Sequence, residues 1–217
     1  MKILTISTPN YKALMNRMLI GLIYHSTKEP IDITIDQSIT NEEGVFGTKN
    51  FNLICKYKAQ QIYLQMSKMR RNDILFYIDG DIQLFEDVKW FENMFMGHNI
   101  DMVAQNDNGG ICAGFFLAKV TPLMLALWHE VAKETSEAEN DQIVLNRVIT
   151  KYIPQLKVSL LPTNMVAHYG AISNGDLWNG QEFKLPEGCK AFHANFTIGM
   201  ENKIKLLDYV VKQKYAN

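Results

Sequence analysis

Short strand-like runs alternate with longer helical segments along the first half of the chain. The apolar runs of strand length are 2–7, 31–36, 74–78 and 100–104. The segments with apolar residues at helical spacing are 11–26, 51–69 and 87–95. Between them, residues 37–50 show no periodicity and predict a loop. This alternation predicts an α/β fold with a mainly parallel, Rossmann-like central sheet flanked by helices.

The second half of the chain has a more mixed pattern. Its predicted strands are 111–119, 158–161 and 190–193, and its predicted helices are 121–132, 140–150 and 199–212. The helix at 121 has the clearest start, because Thr121 is a good N-cap and Pro122 fits the first helical position. No repeat, low-complexity tract or Pro/Gly-rich linker divides the 217 residues, so we expect a single domain.

Composition narrows the class of protein. The chain has 22 basic and 23 acidic residues, whereas nucleic-acid binders usually carry a basic excess, so we expect no nucleic-acid partner. The apolar stretch 18–24 is far shorter than the roughly 20 residues that cross a bilayer, and no signal-peptide pattern precedes it. The three cysteines are odd in number, lie far apart and show no C-x-x-C spacing, so the sequence supports neither a zinc site nor a disulfide framework. We therefore expect a soluble, cytoplasmic protein without a membrane span.

The apolar run 74–78 ends abruptly in Asp79-Gly80-Asp81, which is the strongest candidate for a functional site. Side chains at i and i+2 of an extended segment point the same way, so the two aspartates share one face. Open α/β sheets bind ligands at the carboxyl ends of their strands, and paired carboxylates repel unless a cation lies beside them. A divalent metal ion holding a phosphate-bearing ligand would explain the pattern. A simple turn explains it equally well, because Asp and Gly both favour turns.

A second candidate is His193, at the end of a predicted strand and just before a glycine-led helix. A lone histidine is usually structural, but here Gly199 begins a helix whose backbone N–H groups and dipole favour a phosphate. Lys203 lies one turn into that helix and could add a positive charge to the same ligand. Two carboxylates and one imidazole form a mixed ligand set that suits Mn²⁺ or Mg²⁺, and Mn²⁺ matches the nitrogen better.

Four motifs in this order resemble those of the nucleotide-diphospho-sugar transferases of the GT-A fold, including the glycogenin-like and lipopolysaccharide-galactosyltransferase branch. The motifs are Asp79-x-Asp81, Cys112-Ala113-Gly114-Phe115-Phe116, Asp141-Gln142 with Asn146, and His193-x-Asn195-x-x-x-Gly199-x-x-x-Lys203. No single motif is specific, but together they cover nearly the whole chain. The resemblance implies a nucleotide-binding half at 1–105 and an acceptor and metal-closing half at 106–217.

The resemblance also implies a role for each matching residue. The implied metal ligands are Asp79, Asp81 and His193. The implied donor-binding residues are Thr5, Ser7, Thr8, Tyr11, Lys58, Asp79, Gly80, Gly199 and Lys203. Among these, Thr5 to Thr8 with Tyr11 would form the nucleobase pocket, and Lys56 is an alternative to Lys58. Asp141 and Gln142 would lie beneath the donor sugar as the catalytic pair.

The activity that the resemblance implies is a Mn²⁺-dependent (or Mg²⁺-dependent) hexosyl transfer from a UDP-sugar to a hydroxyl of a glycan or glycoprotein, with retention of configuration. It extends to virus-encoded members that glycosylate capsid proteins in the host cytoplasm. One departure concerns the donor sugar: Cys112-Ala113-Gly114 stands where the family often has Asn-Thr-Gly or Asn-Ser-Gly. A polar side chain is thereby lost beside the sugar.

Two other functions fit parts of the pattern. A sugar-nucleotide nucleotidyltransferase shares the architecture, but such enzymes usually begin with a Gly-rich, basic phosphate loop, unlike Ser7-Thr8-Pro9-Asn10. A non-catalytic module that binds sugar nucleotides is the other alternative, although every metal and phosphate position is retained. Thermal stabilisation by nucleotides and release of UDP from a donor distinguish these possibilities.

Overall fold

The structure is a computed structural model and describes residues 1–25, 32–36, 46–95 and 99–216. Within these residues the strands are β1 (Lys2–Ile6), β2 (Asp32–Asp36), β3 (Ile74–Ile78), β4 (Ile82–Leu84), β5 (Met102–Asp107), β6 (Gly110–Lys119), β7 (Val158–Leu161), β8 (Val166–His168) and β9 (Ala191–His193). The helices are α1 (Lys12–His25), α2 (Lys49–Ser67), α3 (Val88–Asn93), α4 (Pro122–Glu134), α5 (Asp141–Val148), α6 (Tyr169–Ile172) and α7 (Met200–Tyr215).

Six strands form the central sheet in the order β2-β1-β3-β6-β5-β7. In this sheet β6 runs antiparallel to both of its neighbours, β3 and β5, while the β1–β2, β1–β3 and β5–β7 pairs are parallel. The prediction of a mainly parallel sheet flanked by helices is therefore confirmed. The single reversed strand follows from the tight β5–β6 hairpin, because two strands joined by so short a turn must be antiparallel.

The central sheet is buried on both faces, and β3 illustrates this. Leu75 and Tyr77 pack into one apolar cluster with Trp128 of α4. Phe76 and Ile78 point the other way and pack into a second cluster with α1 and α3. Because successive side chains alternate between faces, a strand covered on both sides has a continuous apolar sequence. The carboxyl end of β3 therefore emerges from the centre of the molecule.

A second, three-stranded sheet has the order β4-β9-β8 and lies next to the carboxyl end of β3. In this sheet His193 pairs with Ile82 on one side and with His168 on the other. Phe192, on the opposite face of β9, packs with Leu206 and Leu207 of α7. The small sheet thus places the late histidine beside the residues that follow β3.

The predicted elements are largely present, with shifted ends. Helix α2 begins at Lys49 because the Thr48 side chain accepts a hydrogen bond from Phe51 N. Helix α7 continues to Tyr215, and the helix predicted at 140–150 becomes α5 followed by a 3-10 turn at Ile149–Lys151. Ser26, Ile31 and residues 37–45 of the predicted loop lie outside the described residues. Among the described helices, none has both the length and the apolar character that a bilayer crossing requires.

Candidate functional site

Asp79 follows β3 directly and is held in place by three neighbours. Its backbone N–H donates to the Gly114 carbonyl over 2.8 Å. Its Oδ1 accepts a hydrogen bond from the Tyr77 hydroxyl at 2.7 Å, and its Oδ2 lies 3.7 Å from Lys58 Nζ. Tyr77 is fully buried, so its hydroxyl gives the carboxylate a fixed orientation at the end of the strand.

Asp81 is buried between two positively charged partners. Its Oδ1 lies 3.2 Å from His193 Nε2, and its Oδ2 forms an ion pair with Lys203 Nζ. Burial alone would raise the pKa of Asp81, but Lys203 and His193 hold it well below its usual range. Burial opposes the charged form of His193, yet Asp81 and Cys112 raise the pKa of its imidazole to about 10. The structure therefore brings the acidic motif, the late histidine and the lysine of α7 into one cluster.

Asp79, Asp81 and His193 together could hold a metal ion. Each offers one ligand atom, and these three atoms lie within 4.8 Å of one another. Two ligands that are each about 2.1 Å from one ion lie at most about 4.2 Å apart, so a pair at the 4.8 Å limit would have to close by at least about 0.6 Å. Two oxygens and one imidazole nitrogen fit Mn²⁺ or Mg²⁺. The residues present therefore fit the cation that the sequence predicts.

A buried ion pair between Lys58 and Asp141 lies next to Asp79. Lys58 Nζ lies 2.9 Å from Asp141 Oδ2, and both side chains are almost completely buried. Burial opposes the charged form of Lys58, but Asp141 and Asp79 raise the pKa of its ammonium above the usual value. Burial raises the pKa of Asp141, an effect that Lys58 partly opposes. Lys56 lies two positions away, about 200° around the helix, and so faces away from this pair.

Gly114 is the residue that allows Asp79 and His193 to approach each other. A Cβ at this position would lie 2.3 Å from Asp79 Oδ2 and 2.7 Å from His193 Cε1, and both distances are far below contact. The site therefore requires glycine as the third residue of Cys112-Ala113-Gly114. The first two, Cys112 and Ala113, are buried parts of β6.

We expect Gly114→Ala to weaken Mn²⁺ binding by about 10–100-fold, because the methyl group displaces two metal ligands at once. Free Mn²⁺, measured by electron paramagnetic resonance during a titration, gives the affinity. Gly21→Ala is the matched control, since its Cβ would meet the flexible end of Gln83 at 3.2 Å and lies outside the cluster. Native Mn²⁺ affinity in a folded Gly114→Ala protein would contradict the placement of the site.

Gln142 and Asn146 attach α5 to the β5–β6 hairpin. Gln142 accepts from Ala113 N at 3.2 Å and donates to Asp107 Oδ2 at 2.7 Å. Asn146 exchanges two hydrogen bonds of 2.8 Å with the backbone of Ile111. Asp141, at the start of the same helix, thereby lies next to Lys58. The two predicted catalytic residues therefore have different partners. Asp141 is buried in an ion pair with Lys58, whereas Gln142 forms hydrogen bonds with the β5–β6 hairpin.

The remaining residues predicted to bind the donor lie at the carboxyl end of β1, between β3 and β4, and at the start of α7. Thr5, Ser7 and Thr8 are buried, and the Thr5 and Thr8 hydroxyls have no hydrogen-bond partner among the described residues. A Cβ at Gly80 would lie 3.6 Å from Met15 of α1. Burial lowers the pKa of Lys203, but Asp81 raises it above its usual value, and Tyr11 lies near enough to add to this rise.

Gly199 precedes α7 with a φ of 85°, a conformation that favours glycine. Its carbonyl accepts a hydrogen bond from Lys203 N at 3.1 Å. The backbone turn at position 199 is therefore what aims the first residues of α7, and with them the lysine, at the acidic motif.

Four further residues of this region were not predicted as site residues. They are Tyr77, Gln105, Asp107 and His168. Asp107 Oδ1 is buried and has no hydrogen-bond partner within the described part of the chain. It lies 3.8 Å from Nε2 of His168, whose ring stacks on Phe196. Gln105 directly follows the predicted strand 100–104, and it is fully buried in the structure, where a polar side chain needs a partner.

Comparison with known proteins defines the class. Solved glycosyltransferases share this fold at low identity. The capsid-glycosylating enzyme of the virus PBCV-1 matches with a TM-score of 0.60 at 10% identity, over 96% of this chain and 100% of that one. LgtC, solved as a galactosyltransferase with donor and acceptor sugar analogues, gives 0.55 at 12% identity over 96% of each chain. The bifunctional glycosyltransferase WbbM gives 0.60 at 12% identity over 98% of this chain. The predicted GT-A fold is thus confirmed.

The family follows from the sequence itself. Residues 28–207 match the model of the nucleotide-diphospho-sugar transferases, and the chain belongs to that family. It is accordingly a glycosyltransferase of the nucleotide-diphospho-sugar type. No curated protein sequence is similar enough to count as a match. The chain spans about half the length of the WbbM chain, which is covered to 51%.

Proposed function

We propose that the protein transfers a hexose from a UDP-sugar to a hydroxyl group of a glycan or glycoprotein, with Mn²⁺ or Mg²⁺ as cofactor. The observation that supports this most is the convergence of Asp79, Asp81 and His193, with ligand atoms within 4.8 Å of one another. Asp79 and Asp81 lie between β3 of the central sheet and β4 of the small sheet, whereas His193 lies in β9, more than a hundred positions later. The ion pair between Lys203 and Asp81 adds a positive charge beside them.

In this proposal Asp79, Asp81 and His193 hold the ion, which as a Lewis acid would neutralise charge on the departing diphosphate. Lys203 would exchange its contact with Asp81 for the diphosphate, and the N-terminus of α7 would donate backbone N–H groups. The end of β1 would receive the nucleobase, within a nucleotide-binding half at 1–105. Lys58 and Asp141 would keep Asp79 in position.

We further propose retention. The acceptor oxygen would bond to the anomeric carbon on the face from which the phosphate leaves, while the bond from that carbon to the phosphate oxygen breaks. The acceptor proton would pass to the departing phosphate. Gln142, fixed to Asp107 at 2.7 Å, would line the sugar site within the acceptor half at 106–217. Proton NMR of the first-formed product distinguishes the anomers, and an inverted linkage would exclude this stereochemistry.

Nucleotide binding should depend on the metal. We expect UDP to raise the melting temperature in the presence of Mn²⁺ and to have little effect in its absence, whereas GDP and ATP should stabilise less. Free ligand at 100 times its dissociation constant adds about 2.7 kcal/mol, which is readily measured by thermal denaturation. Stabilisation by UDP that is equally large in excess chelator would contradict the metal-dependent site.

The reaction itself separates the remaining alternatives. Release of UDP from a UDP-sugar would exclude a non-catalytic binding module. Formation of pyrophosphate from UTP and a sugar 1-phosphate would instead indicate a nucleotidyltransferase. The acceptor class, the cytoplasmic location and a role in viral glycosylation stay predictions, and acceptor screening against glycans and glycoproteins tests the first of them.

A further inference from the structure

Gln105 lies at an irregularity in the β5–β6 ladder. Ala104 pairs with Phe116, but the next paired residue, Asn106, is opposite Ile111, so the register shifts at position 105. On its other edge Gln105 pairs regularly with Leu161 of β7. The extra residues are on β6, where 112–115 stand opposite Gln105, and irregularities of this kind are frequent next to active sites. Gln105 is fully buried, and its carboxamide reaches from the central sheet to His193 of the small sheet.

The Gln105 side chain contacts the one histidine of the acidic cluster. Its Oε1 lies 2.8 Å from His193 Nδ1, within the usual range for an N–H···O bond. Cys112 Sγ is also near this nitrogen but at 3.7 Å, and a thiol is a weak acceptor. The other ring nitrogen, Nε2, faces Asp81. The imidazole is therefore held at one nitrogen by the central sheet and offers the other nitrogen to the cluster.

We propose that Gln105 is a positioning residue for His193, an inference that rests on the proposed metal-dependent function. A carboxamide oxygen can only accept, so this contact would keep a proton on Nδ1 when a cation replaces the Nε2 proton of the charged imidazole. The Nε2 lone pair is then available to a cation shared with Asp79 and Asp81. A partner of this kind fixes both the tautomer and the ring orientation of a metal-binding histidine.

The first test is the affinity for Mn²⁺ alone, measured by electron paramagnetic resonance on the whole chain. We expect Gln105→Leu to weaken Mn²⁺ binding by about 10–100-fold, because the imidazole loses its acceptor. Gln105→Glu keeps an acceptor oxygen and should bind Mn²⁺ at least as tightly as the native protein. Gln83→Leu is the matched control, since it also removes a buried glutamine but one that bonds Arg17. Its Mn²⁺ affinity should be unchanged.

The second test reports the tautomer directly, by NMR of ¹⁵N-histidine-labelled protein loaded with Mg²⁺. The His193 signals are those that His193→Gln removes. We expect a slowly exchanging proton on Nδ1 in the native protein and in Gln105→Glu, but not in Gln105→Leu.

The outcomes separate the two proposals. A native protein that binds no Mn²⁺ would overturn the metal site itself. Native Mn²⁺ binding together with an unchanged affinity in Gln105→Leu would overturn only the role of Gln105. If Gln105→Leu does not fold, Gln105→Glu still decides, because a loss of Mn²⁺ affinity there would contradict an acceptor role.

Discussion

Asp81→Asn should lower the rate of sugar transfer by at least about 10²–10³-fold, the loss typical of removing one electrostatic contact to the transition state. The change is isosteric, but it removes the negative charge that the proposed cation and Lys203 share. Asp81 is also the only one of the three proposed ligands, among the described residues, that contacts both His193 and Lys203. The same substitution should abolish the Mn²⁺-dependent stabilisation by UDP.

UDP release from a UDP-sugar at several Mn²⁺ concentrations provides the measurement. Asp208→Asn is the matched control, because this aspartate pairs with Arg17 on the surface and its side chain is 54% exposed. Rates should be corrected for the folded fraction, since Asp81→Asn leaves the buried Lys203 ammonium without a carboxylate. A folded Asp81→Asn protein that keeps most of its metal-dependent rate would refute the assignment of this ligand.

The sequence predicted the central sheet well because the physical cause of each strand is local. Residues 74–78 are buried on both faces and read as a continuous apolar run, so the pattern identifies β3 without reference to the rest of the chain. Helix α2 is predicted for the same reason, since Cys55, Lys58, Ala59 and Ile62 share its buried face. Its Thr48 cap was the signal that would have corrected the start.

The sequence pattern did not predict the three-stranded sheet. Strands β4 and β8 have three residues each, too few to show a period. They exist because they pair with β9, and Ile82 lies opposite His193, more than a hundred positions later. Such a pairing depends on the closure of long loops rather than on local preference. The second sheet is nevertheless what carries the histidine to the acidic motif.

The candidate site was predictable where sequence spacing determines geometry and otherwise through the family resemblance. Asp79 and Asp81 are two positions apart, so their proximity follows from the sequence alone, although the structure has Gly80 and Asp81 in a turn rather than in an extended segment. The choice between Lys58 and Lys56 required knowledge of which face of α2 is buried. Gln105 and Asp107 were not assigned. The Asn108-Gly109 turn of the hairpin beside Asp107 is a recognisable sequence signal, but the ladder irregularity at Gln105 is not. Their partners are known only once the sheets are assembled.

Lys58→Met should destabilise the fold by about 3–5 kcal/mol, the usual cost of removing one partner of a buried ion pair. The Asp141 carboxylate would remain almost completely buried without its ammonium partner at 2.9 Å. Losing the same ammonium would cost Asp79 less free energy, because its side chain is 27% exposed to solvent. Urea denaturation gives the free energy of unfolding. Lys56→Met, on the opposite side of the same helix, is the matched control and should lose little.

A double substitution tests whether the loss belongs to the pair. In Lys58→Met with Asp141→Asn, no buried charge remains at this position, so we expect the double variant to recover much of the stability that Lys58→Met loses. Neutral replacement of both partners commonly costs far less than removal of one. A double variant that is as unstable as Lys58→Met would show that packing, rather than charge, causes the loss.

The pH dependence of the Lys58→Met variant follows from the same pair. Burial already raises the pKa of Asp141, and the loss of Lys58 removes the group that opposes this shift. A carboxyl whose folded pKa exceeds its unfolded pKa stabilises the fold when protonated, and this contribution disappears as the pH rises through the folded pKa. The deficit of Lys58→Met relative to the native protein should therefore be largest at neutral pH and shrink as the pH falls. In Lys58→Met with Asp141→Asn this pH dependence should be absent, and a deficit that stays constant between neutral and mildly acidic pH would refute the coupling.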